Sequence, residues 1–404
     1  MRGRCRRTGI TSGWKRKTDK ERMKKEEKKV EYLELIYDLI FVYIVGRNNS
    51  LLHNVEGGFI RSEVFVAYIV CSLAIIQIWT FSTFYTNMYG RNGLRDHIFM
   101  FVNMYLLYYI GEGTRLHWER FQNQYHAAWA LILINIGLQY LIEYRQHRAS
   151  PGERRNAKGM MAVLFGEAVI VLIAIPVYNV TGVQIAAAAI LYGMVAAIVF
   201  TRENRTDLVD FAHLSERAML YVVFTFGEMI IAIASYFEGG FDFSSVYFST
   251  MCFLIVTALF LGYEVLYNHI IDRELQVTGM GYMLIHVFLI FGMNSITASL
   301  EFMRDEEVAL WPKILFLTGS FLWYFLCLYL LLRYAKDEMR HCGRFVIQLV
   351  VSSVVFAVLM ILLRENMRLN ILVSVLYAYS QFWMIFQFSR RRETQQVGKE
   401  NIAL

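Results

Sequence analysis

Glu31, Glu34 and Asp38 stand at i, i+3 and i+7 in the segment EYLELIYDLIFVYIV, a spacing that puts three carboxylates on one face of a helix. The run carrying them is otherwise apolar, and an acidic side chain at the centre of a bilayer costs about 2.5–3.5 kcal/mol on insertion scales. The stripe must therefore face a protein interior or a water-filled cavity, or be protonated. Glu31 and Glu34 fit the headgroup boundary. Asp38 lies deeper, where an acid has the chemistry of an ion or proton ligand. The second half of the chain holds His213, Glu216 and Arg217, followed by Glu228 beside Gly227. Arg217 and Glu228 are three helical turns apart, about 16 Å along the axis, so they share a face without pairing. Arg217 is then available to neutralise a carboxylate of the first helix. Glu167, Glu264 and His286 complete the candidate set, because carboxylates and imidazoles can change protonation state inside a cavity, as proton-coupled transport requires. The amides Gln77, Asn103, Asn135, Gln139, Gln184, Asn294, Gln348 and Gln381 read instead as helix-to-helix packing devices.

The elements that must position these groups follow from composition. Of 404 residues, 56% are hydrophobic, 18% are charged and only three are proline, which excludes an ordinary soluble protein. Twelve predominantly apolar windows of roughly twenty residues, the length of a membrane span, run from 32–52 to 369–388. The first is polar enough for a hydropathy scan to miss it, and the third is short. Residues 1–30 carry thirteen Lys or Arg against four Asp or Glu, so the net positive charge belongs to the tail. With the N-terminus in the cytoplasm, 32 of the 40 Lys and Arg fall on that side, which predicts an even number of spans and two cytoplasmic termini. The tail is expected to favour anionic lipid, and nucleic acid is not an expected partner.

The halves also resemble each other. A shift of about 180 to 190 residues lays Leu35–Val45 on a stretch ending in Gly227–Ala234, with Asp38 meeting Glu228. The expected fold is an all-α polytopic transmembrane bundle of about 12 spans in two parallel six-helix repeats. Its parts are a basic cytoplasmic tail (1–30), a first repeat (31–200), a cytoplasmic linker (201–212), a second repeat (213–389) and a cytoplasmic C-terminal tail (390–404).

Enzymatic readings find little to stand on. The five cysteines form no CxxC pair, there is no HExxH and no Gly-rich phosphate loop, and His213 with Glu216 supplies only two ligands to a metal. No metal, cofactor or catalytic residue is expected.

The segment Glu31–Val45 resembles the opening signature of the low temperature requirement A family of membrane proteins. His213–Ala234 (HLSERAMLYVVFTFGEMIIAIA) is similar to its second signature, with His-x-x-Glu-Arg and Gly-Glu elements. The resemblance covers roughly residues 28–390. It implies a multi-helix integral membrane protein and maps the family's polar positions onto Glu34, Asp38, His213, Glu216, Arg217, Glu228 and His286. A weaker likeness, by analogy alone, is to two-repeat organellar cation channels. The functional expectation is a transporter or channel for protons, a monovalent cation or a small solute, through a path lined by intramembrane carboxylates. The alternative is a non-transporting scaffold or sensor that recruits partners or anionic lipid, and a homo-oligomer is compatible with either. Asp38→Asn and Glu228→Gln are both expected to impair function while leaving stability little changed or raised.

Overall fold

A computed structural model describes residues 28–53, 55–113, 118–146, 150–201, 208–237, 240–303, 307–339 and 343–403. Residues 1–27 of the basic tail and 202–207 of the linker lie outside the described residues. Helix α1 (Tyr32–Asn48) starts where a Glu34 oxygen accepts the Glu31 backbone N–H at 3.4 Å, one arm of a capping box. Eleven more helices follow: α2 (Ser62–Tyr89), α3 (Leu94–Gly113), α4 (Trp118–Arg145), α5 (Pro151–Thr181), α6 (Ala186–Thr201), α7 (Phe211–Ile233), α8 (Phe243–Val265), α9 (Met280–Phe302), α10 (Leu310–Leu331), α11 (Gly343–Leu362) and α12 (Met367–Ala403).

Local chemistry sets several boundaries. Ser150 and Glu153 close a capping box over α5, Pro151 takes its first position, and Gly182 ends it in the left-handed conformation. Asp210 caps α7 through the His213 N–H, and Asp242 caps α8 through the Ser245 N–H. Between α1 and α2 a two-stranded hairpin, β1 (Val55–Glu56) and β2 (Phe59–Ile60), turns through Gly57 and Gly58 at positive φ. The Gly58 carbonyl accepts the Ala309 N–H at 2.7 Å and ties this turn to the start of α10.

Among the described residues nine helices are long and apolar enough to cross a membrane. The remaining three are α1, α3 and α6. Helix α1 carries acids, and α6 is a short apolar helix. The protein is thus an integral, multi-pass helical bundle. Helices α2 and α9 are its posts, with 78% of each span's apolar window buried. Helix α2 packs against α1, α4, α6, α7 and α9. Helix α12 continues through Ala403, so residues 390–403 of the expected C-terminal tail are helical.

Candidate functional site

Helices α1 and α7 lie side by side and run in the same direction, since Glu34 meets His213 and Asp38 meets Arg217 one turn farther along. Both pairs are separated by 179 residues. Asp38 and Arg217 are each 0% exposed. The Arg217 guanidinium donates from Nε to Asp38 Oδ2 at 3.4 Å and from Nη2 to Asp38 Oδ1. Trp79 on α2 donates its indole N–H to the same Oδ1 at 2.7 Å. The remaining arm, Nη1, donates to Thr86 Oγ1 at 2.7 Å and lies 3.9 Å from Glu34 Oε1. The guanidinium thus bridges two acids of α1 and a hydroxyl of α2. A buried charge is tolerated only with this degree of hydrogen bonding.

His213 is held in one tautomer. Asn87 accepts the Asp210 N–H at 3.1 Å and donates to the Asp210 carbonyl at 2.8 Å, and this backbone fork fixes which end of its amide carries nitrogen. Its Nδ2 therefore faces His213 Nδ1 at 3.0 Å. An NH₂ group only donates, so Nδ1 accepts. The ring proton then sits on Nε2 and is donated to Glu34 Oε2 at 3.3 Å.

A vestibule of about 370 Å³ opens at the end of the bundle where α1 and α7 begin. Lys28, Glu34, Thr86, Gly90 and Asp96 line it. It reaches Glu34 and stops short of Asp38. Burial holds the Lys28 ammonium below its ordinary value, and Glu34 acts in the opposite sense. Next to it, Arg95 pairs with Glu143 at 2.6 Å and with Asp96 at 3.2 Å.

The other predicted residues lie elsewhere. Glu228 packs over Gly46 on α1, where an added Cβ would come within 2.6 Å of its Oε1. Gly46 is eight residues beyond Asp38, about 12 Å along the helix. No described residue gives Glu228 a hydrogen bond or ion pair, and its charged neighbour is Glu301 on α9. Glu216 is half-buried beside Tyr267. Glu264 is exposed and takes a hydrogen bond from Asn268 at 3.3 Å. His286 donates from Nδ1 to the Tyr282 carbonyl at 2.9 Å and accepts the Tyr263 hydroxyl at 3.1 Å, within a cluster of tyrosines. Glu167 is fully buried over Gly193. One oxygen takes the Gln77 amide at 3.4 Å, and the Trp129 indole nitrogen stands beside the carboxyl group. Sequence reasoning missed Trp79, Thr86 and Asn87, three α2 residues that complete the seam, and Lys28. Their types carry no signal until α2 is laid against α1 and α7.

A larger cavity of about 1380 Å³ lies between α11 and α12, lined mainly by apolar residues with Gln348 and Arg391 among them, and holds none of the candidate carboxylates. Among the described residues no group of three or more His, Cys, Asp or Glu could hold a metal.

Comparison with known families returns the one described as "Bacterial low temperature requirement A protein (LtrA)", which matches residues 29–394. No curated protein matches the chain.

Proposed function

This chain belongs to the low temperature requirement A family, and on that premise we propose that it is a transporter or channel whose path follows the α1–α7 seam. The cargo is a proton, a monovalent cation or a small solute. One observation carries this reading: a fully buried ion pair, Asp38 with Arg217, stands directly beyond a polar vestibule that ends at Glu34. Charges kept inside a membrane despite their cost mark ion and substrate paths. In this reading Arg217 neutralises Asp38 at rest. A cation or proton arriving by way of Glu34 competes with the guanidinium for the acid. Glu228, two turns beyond Asp38, is the next acid along α1's face. No catalytic chemistry is assigned, and the bilayer is the partner, with anionic lipid held by the basic tail.

The reading includes twelve spans, two parallel six-helix repeats and two cytoplasmic termini. Packing within the halves supports the repeat. The pairs α1/α2, α1/α3, α2/α6, α3/α4 and α5/α6 recur as α7/α8, α7/α9, α8/α12, α9/α10 and α11/α12. The shared separation of 179 residues is what a two-fold axis between α1 and α7 would give, and it matches Asp38 with Arg217 in place of Glu228.

Flux through reconstituted protein tests the proposal. Cation or proton movement that is lost when the Asp38–Arg217 pair is removed supports a path through the seam. Silent liposomes holding folded, oriented protein would favour the scaffold or sensor.

A further inference from the structure

At the end of α2 the Thr86 carbonyl accepts the Gly90 N–H at 3.1 Å, while the carbonyls after it lack helical partners, and the partial negative charge of this helix end favours a cation. Lys28 fills that place. Its ammonium donates to the carbonyls of Thr86, Asn87 (3.5 Å) and Gly90 (2.9 Å). The chain leaves α2 at Gly90, an extended C-cap residue, packed so closely that a Cβ there would come within 2.5 Å of the Thr86 carbonyl oxygen. Glu34 lines the same vestibule, and Thr86 joins it to the buried pair, since its hydroxyl accepts from Arg217 while its carbonyl accepts from Lys28.

We propose that the Thr86, Asn87 and Gly90 carbonyls, with the Glu34 carboxylate, form a monovalent-cation site at the mouth of the seam, and that Lys28 is its tethered occupant. Glu31 and Asp96 line the vestibule as well, but Glu31 caps the start of α1 and Asp96 is held by Arg95 and the Arg91 N–H. One remaining carboxylate among neutral carbonyls matches a single positive charge, whereas hard divalent cations recruit more carboxylates. A tethered ammonium competes at an effective concentration in the millimolar range or above, so free cation enters only by displacing it. Lys28 thereby acts as an autoinhibitory plug. The inference rests on the reading of the seam as a cation path and adds its entry site and its regulation.

The test is Rb⁺ binding to the purified full-length protein, with Ca²⁺ as the divalent control. Lys28→Gln is expected to tighten Rb⁺ binding by about tenfold or more, a change of about 1.4 kcal/mol, and Glu34→Gln in the same chain is expected to cancel the gain. In the wild type, rising Rb⁺ should speed acylation of Lys28 by an amine-selective reagent, a readout that needs no variant to fold. A Lys28→Gln protein that binds Rb⁺ no more tightly than wild type overturns the site, as does a Lys28 acylation rate indifferent to Rb⁺. Flux without tighter binding refutes this site and leaves the path intact. Tighter binding with silent liposomes does the reverse.

Discussion

Asp38 and Arg217, 179 residues apart in sequence, are joined through two hydrogen bonds in the interior of the bundle, and each is fully buried. The pair argues against one expectation from sequence, that Asp38→Asn would lower stability only a little or even raise it. Removing one partner of a buried ion pair strands the other charge, at a cost of about 3–5 kcal/mol, whereas replacing both is often close to neutral. Asp38→Asn and Arg217→Gln are each predicted to lower the unfolding temperature in detergent, with the double variant recovering most of the loss. Thermal unfolding of the four proteins checks this; losses that simply add would show the two groups to be uncoupled.

Glu228 behaves differently because no described residue pairs with it. Glu228→Gln is predicted to leave stability unchanged or slightly raised, in line with the expectation from sequence. Gly46→Ala is expected to cost about 1 kcal/mol, since Glu228's flexible end can swing away from the new methyl. Gly193→Ala meets a fully buried Glu167 and its Gln77 partner at once, and is predicted to cost about 1–3 kcal/mol. Equal losses at the two glycines would contradict this contrast.

The seam was partly legible in the sequence. Three acids at helical spacing announced a protected face on α1, and an Arg out of reach of Glu228 needed a partner on the first helix, which the structure supplies as Asp38. What pattern could not deliver was depth and neighbourhood. Glu264 and Glu167 look alike inside apolar runs, yet one is exposed beside Asn268 and the other buried over Gly193. His286 sits among tyrosines because the Tyr263 side chain reaches it from α8 and Tyr282 lies one turn before it on α9, and the first of these is a fact of tertiary structure. Most of the intramembrane amides do bond between helices, as Asn103 does with Tyr37 and Gln381 with Ser352. Gln348, exposed in the α11–α12 groove, does not fit that reading.

The tautomer of His213 is a direct test of how the seam is wired. Nitrogen-15 NMR of labelled protein is predicted to find the proton on Nε2. Because Asn87 fixes this choice through the Asp210 fork, Asn87→Leu should loosen it and weaken the His213–Glu34 contact. A proton on Nδ1 in the wild type would contradict the assignment.

Asp242 gives a pH dependence with a definite sign. The Ser245 side chain and then its backbone N–H, both bonded to the exposed carboxylate, hold it below its ordinary value. Its cap on α8 is therefore fully present above the unfolded carboxyl value and is lost as pH falls through the lower folded value. Exchange protection of the Ser245 amide should persist in mild acid where an unshifted aspartate would already be protonated, and fade below it. Protection already lost at the ordinary aspartate value would refute the prediction.

Ion flux through the seam is the most direct test of function. Purified protein in liposomes under imposed K⁺, Na⁺ and proton gradients is predicted to carry at least one of these ions, and the Asp38→Asn/Arg217→Gln double variant, still folded and inserted, is predicted to carry none. Flux that survives loss of the pair, or wild-type liposomes silent under all three gradients, would contradict a path through Asp38 and Arg217.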